Sequence, residues 1–322
     1  MTVDPAQRLM TSLGLNPGSD EISKVALKDV TGSVDAGMVQ SKKIFDDFIL
    51  KHAGHADIVQ RIFKNRLYQQ LSTTLSGSQE FTALEKLLQE VESKKYDLII
   101  LDTPPTKHAL DFFLAPRRII NLFQDSITKW FSIPDLQPTG FISSIVYRGT
   151  KTVFKSLELL TGAKFIEELV DFFGAIKSIQ RILRDRSEQV EKLLADQSTK
   201  FILITSFDSA KLEEATLMQK EFAKMKYQLD SVIINRAYPL WFEHKNNIET
   251  PNPTGDYKLV FDLYAQFRKY YADRYQLYDQ FAAGFESAVK LFRIPDFGQD
   301  VCGIEDLVKL SDQLAVTQSE VK

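Results

Sequence analysis

Lys200-Phe201-Ile202-Leu203-Ile204-Thr205-Ser206, then Ala210 to Met225, then Leu229-Asp230-Ser231-Val232-Ile233-Ile234-Asn235 is the stretch on which the fold turns. Each flanking run is short and apolar, the pattern of a strand covered on both faces of a parallel sheet. The segment between them lacks Gly and Pro, and Leu212, Ala215, Met218 and Phe222 recur at helical spacing. Strand, helix and strand with short links predict a right-handed parallel crossover. The fold class expected is therefore α/β, with a doubly wound, mostly parallel sheet.

Working outward, Tyr96-Asp97-Leu98-Ile99-Ile100-Leu101-Asp102 reads as another strand of the same kind. Phe81 to Lys94 leads into it and puts Phe81, Leu84, Leu87, Leu88 and Val91 on one helix face. Met38 to His52 and Asp57 to Leu71 have amphipathic spacing. Asp256 to Leu291 is long, aromatic and free of proline, and Gly303 to Leu314 reads as a closing helix. The section Ala109 to Phe173 holds nine of the 23 phenylalanines: Phe112, Phe113, Phe123, Phe131, Phe141, Phe154, Phe165, Phe172 and Phe173, with Trp130 among them. It delays the next strand, as a helical insertion at the carboxyl ends of the strands would. Two readings stay open for these aromatics: the insertion's own core, or an apolar groove for a partner.

Composition bounds the function. A net charge of −3 over 322 residues gives no field that favours nucleic acid. The single cysteine, Cys302, excludes an internal disulfide and an all-cysteine metal site within one chain. There is no apolar run long enough to span a bilayer and no basic start followed by an apolar block. A cytoplasmic protein without a transmembrane segment is expected.

Two carboxylates stand out. Asp102 ends an apolar strand and opens Asp102-Thr103-Pro104-Pro105-Thr106-Lys107-His108. A carboxylate there, beside a tight proline loop, suits Mg²⁺ held directly or through water. Met1-Thr2-Val3-Asp4-Pro5-Ala6 reads as the end of another strand, with Asp4 at its tip. His52 and His55, three apart with Gly54 between, read as a surface pair rather than a metal site.

Several motifs together resemble the ArsA family, which includes arsenite-pump ATPases and the targeting ATPases for tail-anchored membrane proteins. They are Thr2 to Ala6 with Arg8-Leu9 and Leu13-Gly14-Leu15; Asp102 to Leu110; Ser231-Val232-Ile233-Ile234-Asn235-Arg236; Ile294-Pro295; and the closing helix. Leu75 to Phe81 and Ala115-Pro116-Arg117-Arg118 resemble the bacterial branch. The similarity runs from residue 1 to residue 314.

The resemblance implies a P-loop NTPase-type ATPase with ATP and Mg²⁺ as cofactors. Asp4 is then the catalytic carboxylate that activates the attacking water, and Asp102 the second catalytic carboxylate, organising Mg²⁺ through its water shell. Thr103 contributes to nucleotide binding. Pro104, Pro105, Thr106, Lys107 and His108 continue a switch loop that senses the γ-phosphate. Asn235 binds the adenine edge, its amide offering one donor and one acceptor, and Pro295 flanks the base. The family also implies a homodimer, and an apolar protein or membrane-protein partner for residues 109–173. The domain layout expected is one NTPase-like domain over 1–322, carrying the helical insertion subdomain at 109–195.

Three departures stand against the family pattern. Position 107 is Lys where Gly is usual. No C-x-x-C occurs, so a zinc-clasped dimer is not supported. No G-x-x-x-x-G-K-[ST] occurs in the 322 residues, so the first strand and the P-loop of the family pattern are missing. Either an upstream start supplies them, or they are lost and the remnant binds partners without nucleotide. In both cases the sheet is expected to show unpaired backbone edges and an open core face. The chain by itself is expected to be inactive or very weak as an ATPase. The rival class is a nucleotide-independent holdase or regulatory remnant that uses the Phe-rich groove.

Overall fold

A computed structural model describes residues 1–3, 8–15, 22–27, 31–66, 68–69, 78–104, 106–122, 163–177, 179–239, 257–286, 288–298, 301 and 303–320. It is an α/β structure in two compact units, Met1–Gln7 with Gly18–Leu193, and Arg8–Pro17 with Leu194–Lys322.

The second unit carries the parallel sheet. Strands β1 (Phe201–Ser206), β2 (Leu229–Asn235) and β3 (Lys290–Arg293) lie in that order, each pair parallel. Helix α1 (Ser209–Met225) makes the crossover from β1 to β2, and Leu212, Ala215, Met218 and Phe222 are all buried, as their spacing requires. Asp208 caps this helix, accepting from the amides of Ala210 at 3.0 Å and Lys211 at 3.4 Å. Lys226 closes it in the left-handed conformation (φ 61°), with the Tyr227 amide bonded back to Phe222.

The long aromatic segment divides differently from its expected course. Helix α2 covers Tyr257–Ala282, and the chain then turns at Gly284, whose amide bonds to the Phe281 carbonyl. Lys290-Leu291-Phe292-Arg293 is strand, not helix, because it pairs with Ser231 to Ile234 of β2. Tertiary pairing overrides the helical pattern there. Helix α3 (Ile304–Glu320) closes the chain.

The first unit is mostly helical. Helices α4 (Ser41–His52), α5 (Ala56–Lys64), α6 (Ser78–Ser93), α7 (Thr106–Leu122), α8 (Ala163–Ile176) and α9 (Gln180–Leu194) pack there. One core joins Phe48, Ile49, Ile62, Tyr68 and Phe81 to Phe172, Ile176, Ile179 and Leu183. The Phe-rich section therefore shares its core with helices that precede it. Phe112, Phe113 and Phe172 are buried, whereas Phe165 is exposed. Phe123, Phe131, Phe141, Phe154 and Trp130 lie outside the described residues.

Two ionic contacts brace this body. Arg186 of α9 forks onto Glu85 of α6, Nη2 to Oε1 at 2.8 Å and Nε to Oε2 at 3.0 Å, and its Nη1 reaches Glu92 at 2.6 Å. Burial opposes the Arg186 charge, but the two carboxylates outweigh it and raise its pKa. Tyr68 donates its hydroxyl to Asp46, and burial together with that carboxylate pushes the phenol pKa up.

Tyr96 to Asp102 differs from the strand expected. Only Asp102 makes a bridge, and Leu98 and Ile100 are 76% and 69% exposed. In β1 one face is buried at Leu203, while Ile202 and Ile204 on the other are 58% and 60% exposed. An apolar run keeps its side chains dry only where a second layer covers it. Among the described residues, both runs have a face left uncovered.

Candidate functional site

The N-terminal residues bridge two other segments through Thr2. Thr2 bridges Met38 and Asp102, both in parallel sense. Its amide donates to Gly37 at 3.1 Å and its carbonyl accepts from Val39 at 2.9 Å. On the other side, the Asp102 amide donates to Met1 at 2.9 Å and the Val3 amide donates to Asp102 at 3.0 Å. Where the sequence predicts a strand end, Met1 to Val3 pairs only through isolated bridges at Thr2. Asp4 itself lies outside the described residues.

Asp102 is exposed, and its carboxylate is held from the bridged N-terminal segment: the Thr2 hydroxyl donates to Oδ2 at 2.9 Å. The Thr2 side chain is buried. The sequence carries no local sign of this positioning hydroxyl, because the contact follows from the long-range bridge that sets Thr2 opposite Asp102. Thr103 and Pro104 follow in irregular conformation and are half-buried, and Pro105 lies outside the described residues. Thr106, Lys107 and His108 form the first turn of α7 rather than free loop. An exposed carboxylate with a hydroxyl neighbour suits a hard cation reached through water better than direct ligation. Among the described residues no group of three His, Cys, Asp or Glu could hold a metal ion.

A second cluster is built in the other unit. Asn235 ends β2 and is exposed. Arg236 then adopts φ 51° and turns the chain. The Ile294 amide donates to Ile234 at 2.9 Å, the Ala237 amide to Ile294 at 2.8 Å, and the Asp296 amide to Tyr238 at 2.7 Å. These bonds bring Asn235 and buried Pro295 together at the carboxyl ends of adjacent parallel strands. That rim is where ligands bind in open α/β sheets.

Behind this rim, Arg293 lies against Tyr238, Tyr275 and Tyr278, at 5.6, 4.9 and 4.9 Å from their ring centroids, and bonds the Tyr275 hydroxyl. Burial opposes its charge, but the tyrosines outweigh it and raise its pKa. Sequence reasoning passed over this group as well. Its legible part was the i, i+3 pair of tyrosines on α2.

The histidine pair divides: His55 is exposed, as a surface residue would be, whereas His52 is half-buried. His52 packs at 4.7 Å on the Phe48 ring, and His55 precedes the first turn of α5. Burial, then Lys51, lowers the His52 pKa below 6.5. No helix among the described residues is long and apolar enough to cross a membrane.

Comparison with known proteins gives one consistent result. The sequence model of the anion-transporting ATPase family matches residues 1–316. The chain is 22% identical over 316 residues to the ATPase get3 of Aspergillus terreus, covering 98% of this chain and 80% of that protein. It is 21% identical over 315 residues to the ATPase get3 of Aspergillus niger, with the same coverage of 98% and 80%. It is 23% identical over 248 residues to the ATPase GET3A of Arabidopsis thaliana, covering 76% of this chain and 58% of that protein.

Proposed function

Because the chain belongs to the anion-transporting ATPase family, we propose that it is the catalytic core of an ATP hydrolase with a doubly wound, P-loop NTPase-type fold over 1–322. The observation that supports this reading is the parallel bridge between Thr2 and Asp102, with the Thr2 hydroxyl on the Asp102 carboxylate.

In this reading Asp4 holds and deprotonates the water that attacks the γ-phosphate in line. Asp102, fixed by Thr2, orients water around Mg²⁺. When bound, Mg²⁺ neutralises charge that builds on the phosphate oxygens. Thr103 to His108 register the γ-phosphate at the N-terminus of α7, where helix amides favour an anion. Asn235 reads the adenine edge and Pro295 flanks the base. The helical body that includes 109–195 answers to nucleotide state and presents an apolar protein partner site. ATP is held across a homodimer.

The reaction also needs a backbone cradle for the β-phosphate and its lysine. No Walker-type motif occurs in these 322 residues. Residues 1–322 alone therefore bind ATP weakly and turn it over negligibly. The test compares 1–322 with a chain carrying a strand, a K-G-G-x-G-K-T loop and a helix ahead of Met1. Hydrolysis is expected only in the longer chain and is lost with Asp102→Ala. Turnover by 1–322 alone that Asp102→Ala removes overturns the need for that loop. A folded but inactive longer chain overturns the enzyme reading.

A further inference from the structure

Helix α2 carries two apolar stripes, and among the described residues one is packed against its own unit while the other is exposed. Phe261, Tyr264, Tyr271, Tyr275 and Tyr278 are half-buried and Phe281 is buried. Tyr275 and Tyr278 lie at 6.4 and 6.3 Å from the Phe207 ring, which fixes this side of the helix inward. The other stripe is Val260, Leu263, Phe267, Tyr270 and Leu277, all exposed, with Leu259 and Tyr257 at its start.

The spacing of the exposed stripe is three, four, three and then seven residues, with Arg274 in the remaining slot. That is the 3.5-residue repeat of a helix that pairs with another helix. The stripe from Val260 to Leu277 is about 26 Å long at 1.5 Å per residue. We propose that this stripe is a self-association surface, on which α2 of a second copy of this chain packs antiparallel.

Three features select that occupant. The first is area. A specific interface buries about 1,000 Å² or more in total. Seven large side chains per copy, each between 39% and 79% exposed, reach that scale when two copies meet. The second is direction. A parallel pair sets Arg274 against its own copy. An antiparallel pair centred between Phe267 and Tyr270 opposes Val260 to Leu277, Phe267 to Tyr270, and Arg274 to Leu263. The two guanidinium groups then sit about 16 Å apart along the seam, beyond the screening length of about 8 Å at physiological salt. Each lies over its own Tyr270 ring, at 4.3 Å, so its charge has an aromatic face when the seam dries.

The third feature is charge. Residues 257–282 hold four basic and three acidic side chains. A helix that lies on anionic lipid needs a strongly basic polar face, which this one lacks.

The association does not depend on nucleotide, so its fate is separate from that of the ATPase reading. Sedimentation equilibrium of the full chain in nucleotide-free buffer is expected to show a monomer–dimer equilibrium. Phe267→Asp raises the dissociation constant at least tenfold without changing the circular dichroism spectrum. Val308→Asp, at an exposed apolar position on another helix, leaves it unchanged. On a Cys302→Ser background, V260C mixed with L277C forms a covalent dimer under mild oxidation, and V260C alone does not. The proposal is overturned by a wild-type monomer at about 100 µM, by a Phe267→Asp dimer of unchanged affinity, by V260C cross-linking to itself, or by a monomer that binds phosphatidylcholine vesicles through Phe267.

Discussion

The Thr2 hydroxyl donates to Asp102 Oδ2 at 2.9 Å across an isolated parallel bridge. The two residues lie a hundred positions apart in the chain. The contact therefore depends on the strand register, and it aims the carboxylate while leaving Asp102 exposed to solvent.

Thr2→Val keeps the shape of the residue and removes the donor. The buried position then loses one charge-assisted hydrogen bond, partly compensated by water at the exposed carboxylate. A destabilisation of about 1 kcal/mol is expected, read as a lower urea midpoint with an unchanged slope. Thr2→Val placed on Asp102→Asn should cost clearly less. Additive losses in that cycle would show that the two side chains do not act on each other.

Arg186 and Glu85 make the opposite kind of pair, with side chains only 15% and 2% exposed. Removing one partner strands a buried charge. Arg186→Ala is expected to destabilise the chain by about 3–5 kcal/mol. Replacing both, as Arg186→Met with Glu85→Leu, should recover much of that loss, since an apolar pair has no desolvation to offset. Thermal and urea unfolding of the three variants measure it. If the double variant is as unstable as Arg186→Ala, the pair has a structural role that apolar packing does not replace.

The sequence showed β1, α1 and β2 almost to the residue, because a buried strand and an amphipathic helix each leave a local period. Asn235 and Pro295 stand out in the sequence one at a time, and only chain pairing brings them to one rim. Other features had no local signal. Lys290 and Leu291 close the long segment expected to be helical, and only pairing with β2 makes them strand. The Thr2–Asp102 contact and the Arg293–tyrosine group are products of register and packing over long sequence separations. Leu98 and Ile100 read as doubly covered from their apolarity alone; coverage is a property of neighbours, which a run of residues does not encode.

The two faces of β1 give a direct check on that coverage. Ile204 is exposed and Leu203 is buried one residue earlier. Ile204→Thr should change stability by no more than about 0.5 kcal/mol and should raise solubility. Leu203→Ala should cost about 2–5 kcal/mol, because it empties a packed site. Equal losses from the two would mean that the Ile204 face is covered in solution.

His52 sets an acid-side dependence of stability. Burial against Phe48, reinforced by Lys51 and Arg186 and opposed by Glu85, holds its folded pKa below the ordinary histidine value of 6.5. Below pH 6.5 the unfolded chain takes up a proton that the folded chain resists, so the folded state loses ground as the pH falls toward the lower folded value. Above pH 6.5 both states are neutral at this residue, and its contribution is flat. The urea midpoint is expected to drop between pH 7.5 and pH 5.5, and His52→Gln should reduce that drop. A His52→Gln profile that falls as steeply as that of the parent chain would assign the pH dependence to other groups. A midpoint that rises on acidification would reverse the sign and show that His52 is stabilised as the cation, with Glu85 outweighing burial.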